Sequence, residues 1–312
     1  MISLLKFASR AFGSTALAKK KLLDNRKREL KDFLHGNSRC VFLRQEKPKA
    51  TIIVPVHNHA YHTLQCLLSL RGIAQEDLEI LVQDDCSNDE TRTLLKKFEN
   101  ISVYQNEKNL GFIGSVNEAV RHARGEFIIL LNNDARFLDG SIDEALRLFE
   151  SERNCGLMGG RISLASGGLQ EAAGVIYRDG KTIGYLRHHS INDARALKIR
   201  DVDYCSGVFA IVRREVFIEL GGFDEKYAPA YYEDTDFCMR LRQAGLRCIY
   251  NPDLLVEHFE FGSAVSFRKR ALIKRNRRIF MERWRAMLEQ GRHFPSTIST
   301  ANERAAHRLQ GW

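Results

Sequence analysis

TIIVPVHNHAYHTLQCLLSLRGIAQEDLEILVQDDCSNDE, residues 51–90, decides how this chain folds. It begins with an apolar run, TIIVPV (51–56), passes through a stretch of helical periodicity near 60–71, and returns to a second apolar run, EILVQ (79–83). Runs this short, and this rich in β-branched and large residues, read as strands buried on both faces. Two more follow, ISVYQ (101–105) and EFIILL (126–131), with helical periodicity near 89–99 and 112–123 between them. Strand, helix, strand at this spacing makes βαβ units, and right-handed crossovers then put helices on both faces of a mostly parallel sheet. The expected fold class is α/β.

Beyond residue 150 the pattern changes. GLMGGRISL, a strand candidate LQEAAGVIY, a polar stretch at 179–201 and VDYCSGVFAIVRREV predict mixed strands and longer loops continuous with the first sheet. A helix is expected from Glu233 to Ala244, stopped by Gly245, because glycine is the usual residue just past a helix end. Residues 267–289 predict a last long basic helix. No internal repeat or low-complexity tract is visible.

Composition narrows the function classes. The 312 residues are 44% hydrophobic and 28% charged with five prolines, as in a folded globular protein and unlike a disordered or collagen-like chain. The net charge of +9 is unevenly spread: residues 1–49 hold 13 Lys/Arg against 4 Asp/Glu, residues 263–312 hold 12 against 3, and the middle holds 23 against 32. Basic ends suit an anionic partner, a membrane surface or nucleic acid, or simply solvated helix faces. The seven cysteines are odd in number and contain no C-x-x-C pair, which argues against a disulfide framework or structural zinc and for a reducing cytosol. No apolar run approaches the roughly 20 residues of a membrane-spanning helix, and the N-terminus reads as an amphipathic surface helix or a transit peptide.

In open α/β sheets ligands bind beyond the carboxyl ends of the strands, and here those ends are polar. Val56-His57-Asn58-His59 follows the first strand, Asp84-Asp85-Cys86-Ser87-Asn88-Asp89 the second, and Asn132-Asn133-Asp134 the fourth. Together they describe a pocket able to hold a base, a ribose and a metal-bound phosphate. Asp85-x-Ser87-x-Asp89 is no calcium loop, since Glu90 and Lys96 stand where an EF-hand needs glycine and glutamate. Asp89 reads as a helix cap. Gly111-x-x-Gly114 opening a helix could cradle phosphate or merely permit close packing.

The order of these elements resembles the family 2 glycosyltransferases, which have the GT-A nucleotide-diphospho-sugar fold. The resemblance spans about residues 50–284 and rests on IIVPVHN, DDCSNDET, NLGFIGSVNEA, FIILLNNDA, GGFDEKYAPAYYEDTDFCMRLRQAG and EHFEFGS, in that order. It implies an inverting, non-processive transfer of a sugar from a nucleoside diphosphate donor, UDP- or dTDP-linked before GDP-linked, to an acceptor hydroxyl of a glycan or lipid-linked glycan. By position in these motifs, Pro55 and His57 would line the base pocket, Asp85 would accept from the base's ring N–H, and Asn109 and Gly111 would shape the nucleotide site. Asn132-Asn133-Asp134 replaces an acidic triplet, leaving Asp134 as the metal ligand from this motif and Asn132 with a hydrogen-bonding role. His258 would approach the metal, Mn²⁺ or Mg²⁺, or the diphosphate. Asp234 would be the catalytic base, with Glu233 beside the acceptor.

Three regions follow: a basic helical extension (1–49), a GT-A domain (50–262) and a basic helical end (263–312). A processive synthase is disfavoured, because Arg283-Trp284 lacks the glutamine of Q-x-x-R-W, with Phe280 in its place. A nucleotidyltransferase would need a glycine-rich loop after the first strand. A nucleic-acid binder finds no motif here and an acidic middle. A catalytically inactive nucleotide-sugar module would not need Asp134, Asp234 and His258. The expected setting is cytoplasmic, at the membrane face if the basic ends bind there.

Overall fold

Ala50–Val56, Leu78–Asp84, Ser102–Gln105 and Phe127–Leu131 are strands, where the four apolar runs stand. The computed structural model describes residues 2–44, 46–73, 77–260 and 267–290, with side chains from Leu17 onward. Ala50–Val56 lies between Leu78–Asp84 and Phe127–Leu131, Ser102–Gln105 pairs with Leu78–Asp84, and all these pairings are parallel. In register, Val56 stands beside Asp84 and Ile53 beside Leu130. The carboxyl ends therefore open onto one edge of the sheet, and the polar residues after them share that edge.

The sheet continues through Phe209–Arg213, antiparallel to Phe127–Leu131 and to Cys155–Leu164, and the latter runs parallel to Arg247–His258. Ten strands make this mixed sheet. Alternate side chains feed two apolar layers, as the two-residue period of a strand requires. Ile52, Val54 and Ile129 pack with the helix Ala60–Ser69, while Ile53, Leu81, Ile128 and Leu130 pack with Ile113, Val116 and Val120 of Gly111–His122.

Several elements differ from expectation. The helix near 89–99 is only Thr91–Leu95, because Phe98–Glu99 is drawn into parallel pairing with Cys40–Val41. Asp89 still caps it by accepting from the Thr91 amide at 3.0 Å, although Glu90 holds the cap position, and its other oxygen accepts from Ala60 N–H at 3.0 Å. LQEAAGVIY is two strands, broken at Ala173 (φ 64°): Leu169–Ala172 joins the main sheet and Gly174–Ile176 forms a hairpin with Thr182–Gly184. The helix Glu233–Gln243 ends before Gly245 (φ 78°), and Phe267–Glu289 is helical as expected.

The basic N-terminal stretch is a helix, Ile2–His35, that joins the same core through buried Leu30, followed by Cys40 and Phe42. Arg26, 2% exposed, reaches His62 Nδ1 at 2.7 Å and Glu257 Oε1 at 3.0 Å and lies over the Phe259 ring. Of EHFEFGS, Phe261 to Ser263 lie outside the described residues, as do 264–266 and 291–312 of the expected basic end. All seven cysteines are free, and among the described residues no helix is long and apolar enough to cross a membrane.

Candidate active site

One cavity of about 880 Å³ opens at the carboxyl edge of the sheet, and the residues given site roles by the family resemblance line it: Pro55, His57, Asp85, Asn109, Gly111, Asn132, Asn133, Asp134, Glu233, Asp234 and His258; Asn58, Asp84, Ser87, Asn88, Asp89 and Gly114 do not.

At one end Asp85 is held by the start of the helix Gly111–His122. Its Oδ1 accepts from Leu110 N–H at 2.7 Å and Asn106 Nδ2 at 2.8 Å, and its Oδ2 accepts from Gly111 N–H at 2.9 Å. A carboxylate suits a helix N-terminus, where amides lack intrahelical partners and the dipole is positive. Gly111 is required twice over. Its φ is +73°, and a Cβ there would come 2.8 Å from Pro229 Cβ. His57 Nδ1 lies 2.7 Å from the Asp85 carbonyl and its Nε2 lies 3.1 Å from Asn109 Nδ2, so the imidazole plane is set.

In the middle Asp134 and His258 meet, His258 Nε2 lying 3.0 Å from Asp134 Oδ1 and Nδ1 lying 2.7 Å from Gln170 Oε1. Burial pushes the Asp134 carboxyl up, but the charge and hydrogen bond of His258 outweigh it and hold the carboxyl below its ordinary range. For His258 burial works downward, and Asp134 overcomes it, so the imidazole sits above its ordinary value. Oxygens face both ring nitrogens, so the protonated imidazole can donate to each. This oxygen and nitrogen donor set fits a divalent ion. Among the described residues no third His, Cys, Asp or Glu joins it, so phosphate oxygens and water would complete the shell. Asn132 Oδ1, buried nearby, has no hydrogen-bond partner among the described residues and can serve a ligand.

At the far end the turn Tyr227–Tyr232 leads into the helix Glu233–Gln243, with Tyr231 and Tyr232 at φ 78° and 73°. The helix Phe267–Glu289 braces this turn. Fully buried Asn276 directs Nδ2 at the carbonyls of Tyr227, Ala230 and Tyr231, 2.8, 2.9 and 2.7 Å away, and Tyr232 Oη donates to Gly180 O at 2.8 Å. Asp234 is half-buried in the cavity wall, accepting from Gly207 N–H at 3.1 Å and from Thr235 N–H at 2.6 Å. Burial raises its carboxyl despite these bonds. Glu233 is 6% exposed, its Oε2 has no partner among the described residues, and burial, then the neighbouring Asp234, push its carboxyl well above the usual range. Asp236 turns away. It is fully buried and accepts from Tyr227 Oη at 3.1 Å, Trp284 Nε1 at 2.8 Å and Arg240 Nε at 2.8 Å, and so it anchors helices.

Residues 51–221 match the family model Glycosyl transferase family 2. The chain belongs to that family. The glycosyltransferase is 27% identical over 235 residues to N-acetylglucosaminyl-diphospho-decaprenol L-rhamnosyltransferase of Mycobacterium tuberculosis, covering 66% of this chain and 75% of that one. It is 26% identical over 223 residues to O-antigen chain rhamnosyltransferase WbaN of Salmonella anatum, covering 68% and 66%. Among solved structures, mannosyltransferase PcManGT from Pyrobaculum calidifontis, in complex with GDP-Man and Mn²⁺, superposes with a TM-score of 0.55 at 17% identity over 88% of this chain and 79% of that one. The fold is that of GT-A glycosyltransferases.

Residues that no motif announced also hold the cavity walls. Gln170 orients His258 from the strand Leu169–Ala172, and the only signal was a polar Gln-Glu pair inside an apolar run. Its neighbour Glu171 is buried, and desolvation followed by the charge of Asp234 lifts its carboxyl to about 7. Asn276, within a run of basic residues, carried no signal.

Proposed function

We propose that this enzyme is an inverting, single-transfer glycosyltransferase moving a sugar from a UDP- or dTDP-linked donor to a hydroxyl of a lipid-linked glycan, in cell-surface polysaccharide synthesis. The supporting observation is that pinned Asp85, the Asp134–His258 pair and the Glu233–Asp234 carboxyls face one cavity in a family 2 fold. Both relatives named above carry rhamnosyltransferase names, so a rhamnosyl donor is the first to try, and one of them is named for a diphospho-decaprenol acceptor.

In this reading Asp85, Asn109 and His57 bind the base, and Asn132 bonds the ribose. Asp134 and His258 would hold Mn²⁺ or Mg²⁺, which supplies Lewis-acid neutralisation of the leaving diphosphate when bound. Glu233 orients the acceptor, and Asp234 takes the proton from its hydroxyl as that oxygen attacks the anomeric carbon from the face opposite the diphosphate. Screening nucleotide sugars for release of nucleoside diphosphate, with and without Mn²⁺, tests the reading. One donor should be consumed in an acceptor-stimulated, cation-dependent way, whereas nucleotide-sugar binding without any turnover would instead indicate an inactive binding module.

The basic helices Ile2–His35 and Phe267–Glu289 are the elements we assign to an anionic membrane face, where each engaged Lys or Arg contributes about 1 kcal/mol. The protein should float with anionic vesicles and not with neutral ones at moderate salt. Equal flotation with both rules this assignment out.

A further inference from the structure

Charge is sorted within the cavity. Among its described lining residues the Lys and Arg side chains are Lys181, Lys269 and Arg277, and none comes from the strand ends or the helix start around Asp85. Lys269, Ile273 and Arg277 recur every fourth residue on the helix Phe267–Glu289, so they share one face and extend about 12 Å along it. Lys181 comes from the turn before Thr182–Gly184. That turn is fastened to the same helix, because Arg277 Nη2 donates to the Asp179 carbonyl at 2.8 Å and pairs with the Asp179 carboxylate at 2.7 Å.

The turn Tyr227–Tyr232 stands between these cations and the Asp85 end. On one side Pro229 packs on Gly111, and its carbonyl accepts from Ile113 N–H at 3.4 Å. On the other, Asn276 grips the turn from the helix that carries Lys269 and Arg277. The Lys269 ammonium lies over the Tyr231 ring at 5.4 Å, and the Gly180 carbonyl, next to Lys181, accepts from Tyr232 Oη. The cations thus adjoin the residues that lead directly into Glu233 and Asp234. The other polar lining is acidic in excess, with Asp85, Asp134, Glu233, Asp234 and Glu260. Three cations kept across the turn from the nucleotide end suit a second anion, distinct from the donor diphosphate.

We propose that Lys181, Lys269 and Arg277 form a subsite for the phosphate groups of the acceptor, a sugar carried on a phosphate- or diphosphate-linked lipid. The sugar hydroxyl then points at Asp234, the phosphates lie along the helix face between Lys269 and Arg277, and the lipid leaves the cavity past Ile273. Guanidinium and ammonium donors make the strong, charge-assisted bonds that hold phosphate. The subsite deepens the reading of the enzyme as a transferase acting on a lipid-linked acceptor.

The test measures binding of farnesyl diphosphate and of farnesol to the full chain, alongside binding of UDP and dTDP. Wild type should bind farnesyl diphosphate well above farnesol. The double variant Lys181→Gln, Arg277→Gln should lose about tenfold for each charge-assisted bond removed, with farnesol and nucleotide affinities unchanged. Arg277→Lys, which keeps the charge, should recover part of the loss and guards against a purely structural effect through Asp179. Equal binding of farnesyl diphosphate and farnesol by wild type overturns the subsite, as does a double variant that binds like wild type. Loss of nucleotide affinity in the variant also overturns it, by assigning the cations to the donor. Failure of the transferase reading shows elsewhere, as absence of donor turnover while the diphosphate preference persists.

Discussion

Asp234→Asn is expected to lower sugar transfer by roughly 10²–10⁴-fold, the usual contribution of a positioned general base, with nucleotide binding nearly unchanged. The substitution keeps size and most local bonding. Its remaining oxygen can still accept from Thr235 N–H at the 2.6 Å position, while the amide nitrogen faces Gly207 N–H and loses that one bond. A lost hydrogen bond of this kind costs about 1 kcal/mol of stability, so the fold survives. The pH dependence carries a second signature. Burial raises the Asp234 carboxyl, and only its ionised form can take a proton, so wild-type kcat/KM should fall as pH drops through that raised value. The Asn variant should lose this acidic limb along with the rate. Glu233→Gln should weaken acceptor use more than the chemical step, because the buried Glu233 Oε2 has no partner among the described residues and is open to a hydroxyl of the acceptor. Near wild-type turnover by Asp234→Asn at saturating acceptor would move the base to Glu233. Asp236 is already excluded, since its oxygens are committed to Tyr227, Trp284 and Arg240.

What could be read from sequence was what is local. Three of the four parallel strands, Ala50–Val56, Leu78–Asp84 and Phe127–Leu131, declared themselves because burial on both faces forces continuous apolar runs; Ser102–Gln105, expected to be buried likewise, is an edge strand with Val103 and Tyr104 exposed. The side chains just beyond the buried strands, His57, Asp85 and Asp134, had to share one edge once the strands were parallel. Glu233 and Asp234 were visible as acids at a helix start, but which of them keeps an open oxygen depended on Gly207, a residue 27 positions from Asp234. Long-range partners left no periodic trace. Gln170 meets His258 across 88 residues, Asn276 meets Tyr227 across 49, and Arg26 meets Glu257 across 231. Each lies within an ordinary strand or helix pattern, and its role comes from the crossover connections that bring distant segments together. The strand break at Ala173 was hidden for the same reason: nothing within LQEAAGVIY marks it, and a hairpin with Thr182–Gly184 claims the second half of the run.

Asp134→Ala should cut donor turnover by roughly 10²-fold or more, the range lost when a group that stabilises developing charge is removed. Two effects combine. Among the described residues the carboxylate and His258 are the pair placed to hold a divalent ion, and loss of the carboxylate leaves His258 alone of the two. The carboxylate is also the partner that raises the His258 imidazole against burial, so without it burial favours the neutral ring. Were His258 Nε2 to hold a divalent ion, that nitrogen would have to be deprotonated, because only then does it offer a lone pair. Cation binding to the wild-type enzyme with nucleoside diphosphate should therefore release a proton, measurable as buffer-dependent heat in calorimetry, and should strengthen as pH rises. Asp134→Ala should show weak cation binding and little proton release. Gln170→Leu, which removes the acceptor at His258 Nδ1, should weaken cation binding more mildly, by roughly 10–100-fold as for other groups that orient a metal ligand. Full turnover of the wild-type enzyme in excess EDTA would sink the metal assignment. Asp134 and His258 would then be an ion pair that closes the cavity floor, and the leaving diphosphate would have to be neutralised by side chains alone.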